Sequence, residues 1–169
     1  MTSSSSTPQR KLAAIMFTDI AGFTALSAKN EEKALKLIKR QRELLKPIVE
    51  RFGGSWLKEI GDGLLLVFPS SKQALSCAIE IQHTAKQMED LNLRIGIHQG
   101  DILEEDGDIF GDDVNIASRI EPFAAVGGIA ISHKIFGDIS GSPEFQVKYI
   151  GQPKLKGVIQ EVKLYCLIS

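Results

Sequence analysis

The sequence lacks a net basic charge, a cysteine framework and a long apolar run. Its 20 lysines and arginines against 21 aspartates and glutamates leave a net charge of −1, which argues against a nucleic-acid-binding protein. Only two cysteines occur, Cys77 and Cys166, both in apolar stretches. We interpret them as small buried side chains in a reducing compartment. Since no signal peptide or membrane segment is recognisable either, we expect a cytoplasmic protein.

The length of 169 residues and the hydrophobic content of 43% suit a single globular domain. Residues 1–10 are polar and serine-rich, and we predict a disordered N-terminal tail there, followed by one domain over residues 11–169. Because the overall charge is balanced, a polyphosphate ligand must be held by local devices such as metal ions, single cations and backbone N–H groups.

Apolar periodicity through the first hundred residues predicts the order strand–helix–strand–strand–helix–strand. The predicted strands cover 13–19, 55–60, 63–68 and 93–98. One predicted helix is capped by Asn30 and runs from Glu31 to Phe52, and a second is capped by Ser70 or Ser71 and runs to Met88. This order predicts an α+β, ferredoxin-like (split βαβ) antiparallel sheet with helices on one face. A tight turn over 21–24, an acidic loop over 104–108, a helix over 112–121 and extra C-terminal strands complete the prediction.

Two aspartates stand at strand ends that this topology brings together. Asp19 ends the first strand, and Asp62 lies in the turn before the third strand, which runs antiparallel beside the first. Either aspartate alone suits a turn, but two adjacent carboxylates repel each other unless cations neutralise them. The pair therefore predicts a divalent-cation site and metal-assisted chemistry on a nucleotide. The small residues after Asp19 offer free N–H groups near a helix start, which suits phosphate oxygens.

Four segments together resemble the class III nucleotidyl cyclase catalytic domain. They are FTDIAGFT at 17–24, KEIGD at 58–62, GIHQG at 96–100 and FGDDVNIASR at 110–119. The resemblance covers residues 11–168 and implies a phosphorus–oxygen lyase that forms a 3′,5′-cyclic nucleotide and pyrophosphate for intracellular signalling. It also implies two divalent cations, Mg²⁺ or Mn²⁺, and a head-to-tail homodimer with each active site between two chains.

The resemblance also implies roles for individual residues. It places Asp19, Ile20 and Asp62 at the metal site and Gly22, Phe23 and Thr24 in substrate binding. Asn115 would orient the ribose, and Arg119 would stabilise charge on the α-phosphate. These two residues are four apart and share one face of the predicted helix. Arginine suits this role because its guanidinium stays charged and can contact two phosphate oxygens.

Lys58 and Asp108 align with the pair of residues that reads the purine base in this family. A lysine donates to the N1 acceptor of adenine, and an aspartate accepts from its exocyclic amine, whereas guanine presents the opposite pattern. ATP is therefore the expected substrate and cyclic AMP the expected product. The alternative interpretation is an ordinary salt bridge between a strand and a loop.

The C-terminal segment departs from the Lys-Gly-Lys-Gly pattern of many family members. It reads Lys154-Leu155-Lys156-Gly157-Val158, with valine in place of the second lysine. We expect Lys156, or else Lys154, to contact the terminal phosphates. His98 is a candidate general base, but we favour a structural hydrogen bond for a histidine at a strand end.

Two other functions compete with an adenylate cyclase. One is a catalytically silent cyclase-homology module that binds nucleotide or partner domains, although such modules usually lose key residues that this chain keeps. The other is a palm-type two-metal enzyme such as a polymerase or dinucleotide cyclase, against which the Asn115–Arg119 and Lys58–Asp108 pairs argue. Class III domains are commonly fused to regulatory segments, so a fused or associated regulatory domain is an expected partner.

Overall fold

The computed structural model describes residues 8–168, which form eight strands and five α-helices. The strands are β1 (Gln9–Ile20), β2 (Ser55–Ile60), β3 (Gly63–Phe68), β4 (Leu93–Glu105), β5 (Asp108–Phe110), β6 (Ile129–Ser132), β7 (Val147–Gly151) and β8 (Leu164–Leu167). The helices are α1 (Phe23–Lys29), α2 (Glu31–Arg51), α3 (Ser71–Ala85), α4 (Asp112–Ile120) and α5 (His133–Ile139), and a 3₁₀ turn covers Glu121–Phe123.

All eight strands belong to one sheet in the order β2-β3-β1-β4-β6-β8-β7, with β5 paired to β4. Strand β1 runs antiparallel to both β3 and β4, and β4 runs parallel to β6. The first four strands with α2 and α3 therefore form the predicted split βαβ arrangement. Thr18 pairs with Leu64, so the end of β1 lies beside the start of β3, as the topology predicts.

Helices cover both faces of the sheet. Helices α2 and α3 share one face, as predicted, but α4 lies on the other face, where no helix was predicted. Ala14 and Met16 of β1 point into the core beneath α2 and α3. Ile15, between them, packs in a second core with Ala117 of α4. A strand that is apolar at successive positions is buried on both faces. The unbroken apolar run in β1 therefore indicated that both faces of the sheet are covered.

The acidic segment over 104–108, predicted as a loop, is a hairpin. Strand β4 continues to Glu105, and the turn to β5 is made by Asp106 and Gly107, with φ of 52° and 76°. The charge of Glu104 is balanced across the ladder by Lys11, whose Nζ lies 2.9 Å from a Glu104 carboxylate oxygen. A cation on the neighbouring strand thus neutralises one of the acidic residues that extend the sheet here.

Other expectations differ at the ends of elements. The predicted turn over 21–24 leads into α1, and α5 follows β6 without having been predicted. Strand β1 begins at Gln9, so the last two residues of the predicted tail belong to the sheet, while residues 1–7 of that tail lie outside the described residues. The helix caps agree with expectation: Asn30 accepts from the Lys33 N–H, and Ser70 accepts from the Gln73 N–H. Within residues 8–168, no helix is long and apolar enough to cross a membrane.

Candidate active site

Asp19 and Asp62 meet at the end of β1, as the sequence predicts. The Asp62 carboxylate accepts a hydrogen bond from the backbone N–H of Ile20 at 2.9 Å, which joins the β2–β3 turn to β1. The approach is close at Gly63, where an added Cβ would lie 3.0 Å from the carbonyl oxygen of Thr18. The turn therefore holds Asp62 beside the residues that follow Asp19.

Helix α2 holds the same turn from the other side. Gln41, which is only 1% exposed, donates from Nε2 to the backbone carbonyl of Asp62 at 3.3 Å. The next residue, Arg42, donates to both carboxylate oxygens of Glu59 in β2 at 2.6 and 2.8 Å. The sequence analysis did not single out Gln41, although a polar residue within the buried stripe of an amphipathic helix was a signal that it has a buried partner.

An open cleft of about 570 Å³ contains the predicted metal-site residues and the residues that follow them. Its lining consists of Asp19, Ile20, Gly22, Phe23, Thr24, Ala25, Ala28, Asp62 and Arg94. The structure thus brings together all six residues predicted for the metal site and the adjoining substrate site. Gly22 precedes α1 with a φ of 80°, a left-handed conformation that glycine adopts readily.

Arg94 belongs to this site and was not predicted from the sequence. Its guanidinium donates to the two carboxylate oxygens of Asp19 at 3.1 and 3.2 Å, and the two residues are paired across β1 and β4. Its Nε also lies 3.6 Å from a carboxylate oxygen of Glu121. The signal was an arginine within the otherwise apolar strand pattern of residues 93–97.

Glu121 is a third carboxylate at this end of the sheet. Its side chain is 11% exposed, and its Oε2 is buried without a hydrogen-bond partner among the residues that the structure describes. Burial, together with the neighbouring Asp19 carboxylate, raises the pKa of Glu121 to about 8. Gly96 of β4 leaves room for the Glu121 backbone, which a Cβ at that position would overlap. The Arg94 guanidinium therefore lies near the carboxylates of both Asp19 and Glu121.

The donors at this site fit hard divalent cations. The carboxylates of Asp19 and Asp62 supply oxygen ligands beside the backbone of Ile20. Their two negative charges exceed the single positive charge of Arg94, which leaves a net negative charge for a cation. Among residues 8–168, no three His, Cys, Asp or Glu side chains are gathered as a complete metal cage. Mg²⁺ usually takes one or two carboxylates and completes its shell with water and substrate phosphates. The residues present therefore fit cations that are shared with a polyphosphate.

The metal-free protein is expected to lose stability as the pH rises from about 5 to about 8. The pKa of Glu121 is 4.5 in the ordinary case and about 8 in the fold, so the folded state keeps a proton that the unfolded chain releases. Its stabilising contribution is complete below about 4.5 and lost as the pH rises through about 8. The expected loss is up to about 5 kcal/mol, since each pKa unit corresponds to about 1.4 kcal/mol and the pKa rises from 4.5 to about 8.

Urea unfolding in EDTA across this pH range measures the effect, and Glu121→Gln is the control variant. The glutamine cannot titrate, so its unfolding free energy should fall less steeply with pH than that of the wild type. Equal slopes in the two proteins would show that Glu121 titrates normally.

Lys58 and Asp108 are in direct contact, 3.0 Å apart, across β2 and β5. The hydrogen bond from Lys58, together with the Ile109 N–H, lowers the pKa of Asp108. The two side chains are 44% and 35% exposed, so their polar atoms remain accessible to a ligand. The predicted pair is thus assembled, in a geometry that suits both a base-reading pair and a surface salt bridge.

Asn115, Arg119 and Lys156 lie on and beside α4. Asn115 is exposed, and Arg119 is half-buried with an Nε that has no hydrogen-bond partner in the described part of the chain. Leu155 packs in one cluster with apolar residues of α4. A Cβ on Gly157 would lie 3.8 Å from Nδ2 of Asn115, so the segment that carries Lys156 passes beside Asn115. None of these three residues, and neither Lys58 nor Asp108, lines the cleft of Asp19 and Asp62.

The sequence matches one protein family over nearly its whole length. The model of the adenylate and guanylate cyclase catalytic domain matches residues 6–169. The chain belongs to this cyclase family. The family resemblance and the fold class inferred from the sequence are thereby confirmed.

Individual relatives agree with this membership. The cyclase domain is 36% identical over 165 residues to a Rhizobium meliloti (strain 1021) protein named putative adenylate cyclase 3, covering 93% of this chain and 28% of that protein. The chain thus spans less than a third of this relative. A crystal structure of an adenylate/guanylate cyclase/hydrolase from Silicibacter pomeroyi superposes with a TM-score of 0.88 at 34% identity, covering 96% of this chain and 99% of that one. The adenylyl cyclase CyaB from P. aeruginosa gives 0.85 at 27% identity, with 96% of each chain covered.

Proposed function

We propose that this cyclase domain is an adenylate cyclase that converts ATP to 3′,5′-cyclic AMP and pyrophosphate in a head-to-tail homodimer. The observation that carries the proposal is the separation of two residue sets on one chain. The cleft contains the proposed cation-binding residues Asp19 and Asp62. It contains neither the Lys58–Asp108 pair nor the second set, which consists of Asn115, Arg119 and Lys156. Two chains that face each other would each complete the other's site.

The first set holds the metals. Asp19 and Asp62 would bind two divalent cations together with the backbone of Ile20, while Gly22, Phe23 and Thr24 line the space for the phosphates. When bound, such cations lower the pKa of the ribose 3′-hydroxyl and neutralise charge on the triphosphate. In the metal-free protein Arg94 neutralises Asp19 through two hydrogen bonds and so keeps that carboxylate in place.

The second set acts on the transferring phosphate and the sugar. In the reaction the 3′-oxygen forms a bond to the α-phosphorus, and the bond to the pyrophosphate oxygen breaks. Arg119, whose Nε has no hydrogen-bond partner among residues 8–168, would stabilise the charge that develops on the α-phosphate. Asn115 would orient the ribose, and Lys156, next in sequence to the Gly157 that lies near Asn115, would contact the terminal phosphates. No side chain is assigned as a general base.

Base selection falls to Lys58 and Asp108. Their opposite hydrogen-bonding characters, a donor and an acceptor 3.0 Å apart, complement the N1 and exocyclic amine of adenine. Guanine would place a donor against the lysine and an acceptor against the aspartate, which leaves polar groups unpaired on binding.

Product analysis tests this function. The purified protein is incubated separately with ATP and GTP in Mg²⁺ or Mn²⁺, and cyclic products are quantified by mass spectrometry. Cyclic AMP from ATP, with at most a trace of cyclic GMP from GTP, is the expected result. Absence of any cyclic product in a protein shown to be dimeric, with nucleotide bound in equilibrium dialysis, would instead support the silent module. A linked dinucleotide product would support the palm-type alternative.

A further inference from the structure

A buried chain of hydrogen bonds joins strand β4 to the first turn of helix α4. His98 is 2% exposed and both of its ring nitrogens have partners. Nδ1 lies 2.7 Å from the hydroxyl of Ser132, and Nε2 lies 2.8 Å from one carboxylate oxygen of Asp113. The other oxygen of Asp113 accepts from the backbone N–H of Asp101 at 3.1 Å. The structural hydrogen bond that the sequence analysis favoured for His98 is therefore present.

Gly100 makes this arrangement sterically feasible. A Cβ at this position would overlap the carboxylate of Asp113. The segment from Gly96 to Gly100 thus provides both the hydrogen-bond partner for Asp113 and the space that its side chain occupies. A larger residue at Gly100 would displace the Asp113 carboxylate from this position.

The group contains a serine, a histidine and an aspartate, but its burial excludes a hydrolytic triad. Ser132 has an exposure of 0%, and His98 has 2%, so a substrate carbonyl cannot reach the hydroxyl. A nucleophile must be able to contact the atom that it attacks. The network therefore acts within the fold.

The N-terminus of helix α4 has no side-chain cap of its own. Gly111 occupies the N-cap position without a side-chain hydrogen bond, and the helix has only nine residues. A short helix without a capping side chain depends on tertiary contacts for its position. Asp113 supplies such a contact one half-turn before Asn115, and Arg119 lies at the other end of the same helix.

The protonation of the network favours a fixed direction of donation. Burial lowers the pKa of His98, with Lys134 and His133 adding to this effect and Asp113 opposing it. The ring is then neutral near pH 7, with Nε2–H donating to Asp113 and Nδ1 accepting from the Ser132 hydroxyl. Both partners are satisfied in this arrangement.

We propose that His98 is a positioning residue for the reaction: through Asp113 it fixes α4 and thereby the placement of Asn115 and Arg119. The inference rests on the proposed function, in which those two residues act on the substrate. It assigns His98 no contact with ATP. When a catalytic group is displaced slightly from the reacting atoms, the rate of the chemical step falls more than substrate binding weakens.

The test compares His98→Leu with His98→Gln. Leucine cannot donate to Asp113, and we expect it to lower kcat about 10-fold or more while KM for ATP changes less than about 3-fold. Glutamine can donate from its Nε2 and should recover most of the lost kcat. In a His98→Leu/Arg119→Ala double variant, the loss of kcat should be smaller than the product of the two single losses, because part of the His98 effect acts through Arg119.

A second readout does not depend on activity. Hydrogen exchange followed by mass spectrometry should show faster exchange over residues 112–120 in His98→Leu, with unchanged exchange in β1 and β3. Unchanged exchange in α4, or multiplication of the His98 and Arg119 effects on kcat, would overturn the inference. If the wild type forms no cyclic nucleotide, the proposed function fails while the exchange result still decides whether His98 positions α4. Should His98→Leu fail to fold by circular dichroism, Ser132→Ala, which removes only the Nδ1 partner, is measured in the same two ways.

Discussion

Asp62→Asn is expected to lower cyclic AMP formation at least about 10³-fold without unfolding the protein. Asparagine matches aspartate in size and keeps an oxygen that can accept from the Ile20 N–H, a bond of 2.9 Å in the native protein. The fold of the turn should therefore persist. What is lost is one of the two negative charges proposed to hold the cations, so metal binding and the rate should fall together.

Three measurements check this prediction: kcat as a function of Mn²⁺ concentration, Mn²⁺ binding by calorimetry in the presence of a non-reactive ATP analogue, and the melting temperature. Asp90→Asn is the matched control. It removes the same charge from a surface ion pair with Lys33, and Asp90 does not line the cleft. Retention of more than a tenth of wild-type kcat by Asp62→Asn, with Mn²⁺ binding unchanged, would show that Asp62 is not a metal ligand.

A combined Lys58→Glu and Asp108→Cys substitution is expected to shift the kcat/KM ratio for ATP over GTP by about 10²-fold or more, towards GTP. These are the residues that the guanylate cyclases resembling this chain would carry at the two positions. Glutamate accepts from guanine where lysine donates to adenine. Because the wild-type ion pair is partly exposed, its loss should change the melting temperature little.

A charge swap separates base reading from an ordinary salt bridge. Lys58→Asp with Asp108→Lys keeps an ion pair between β2 and β5 but exchanges the donor and the acceptor. If the pair only links a strand to a hairpin, the swapped protein should keep its preference for ATP. If the pair reads the base, ATP turnover should collapse while the protein stays folded. Initial rates with both nucleotides distinguish these outcomes.

The fold was predictable where local signals were strong. Helices α2 and α3 have clear apolar stripes and side-chain caps at Asn30 and Ser70, and strands β2 and β3 match their predicted ranges. Helix α1 has only seven residues and begins after Gly22 without a side-chain cap, so no sequence signal marked it. The β4–β5 hairpin was missed because its acidic residues suggested a solvated loop.

The candidate site was predictable to the extent that topology determines it. The adjacency of Asp19 and Asp62 follows from the antiparallel pairing of β1 and β3 and needs no side-chain detail. The contacts of Arg94 with Asp19 and of Gln41 with the Asp62 carbonyl depend on side-chain reach across the fold. The βαββαβ order covers only the first four strands. It could therefore not predict that α4 packs on the opposite face, or that His98 and Asp113 lie between this helix and the sheet.

The shared active site of the homodimer is tested by mixing two inactive variants, Asp19→Ala and Arg119→Ala, and allowing their subunits to exchange. Each heterodimer would contain one site with both defects and one site with neither. Since half of the dimers in an equal mixture are heterodimers, about a quarter of the wild-type activity should return. Asp19→Ala mixed with Asp62→Asn is the control, because both defects lie in the same residue set and no intact site can form. Recovery in the first mixture alone is the predicted result, and no recovery despite heterodimers detected by native mass spectrometry would contradict a site built from two chains.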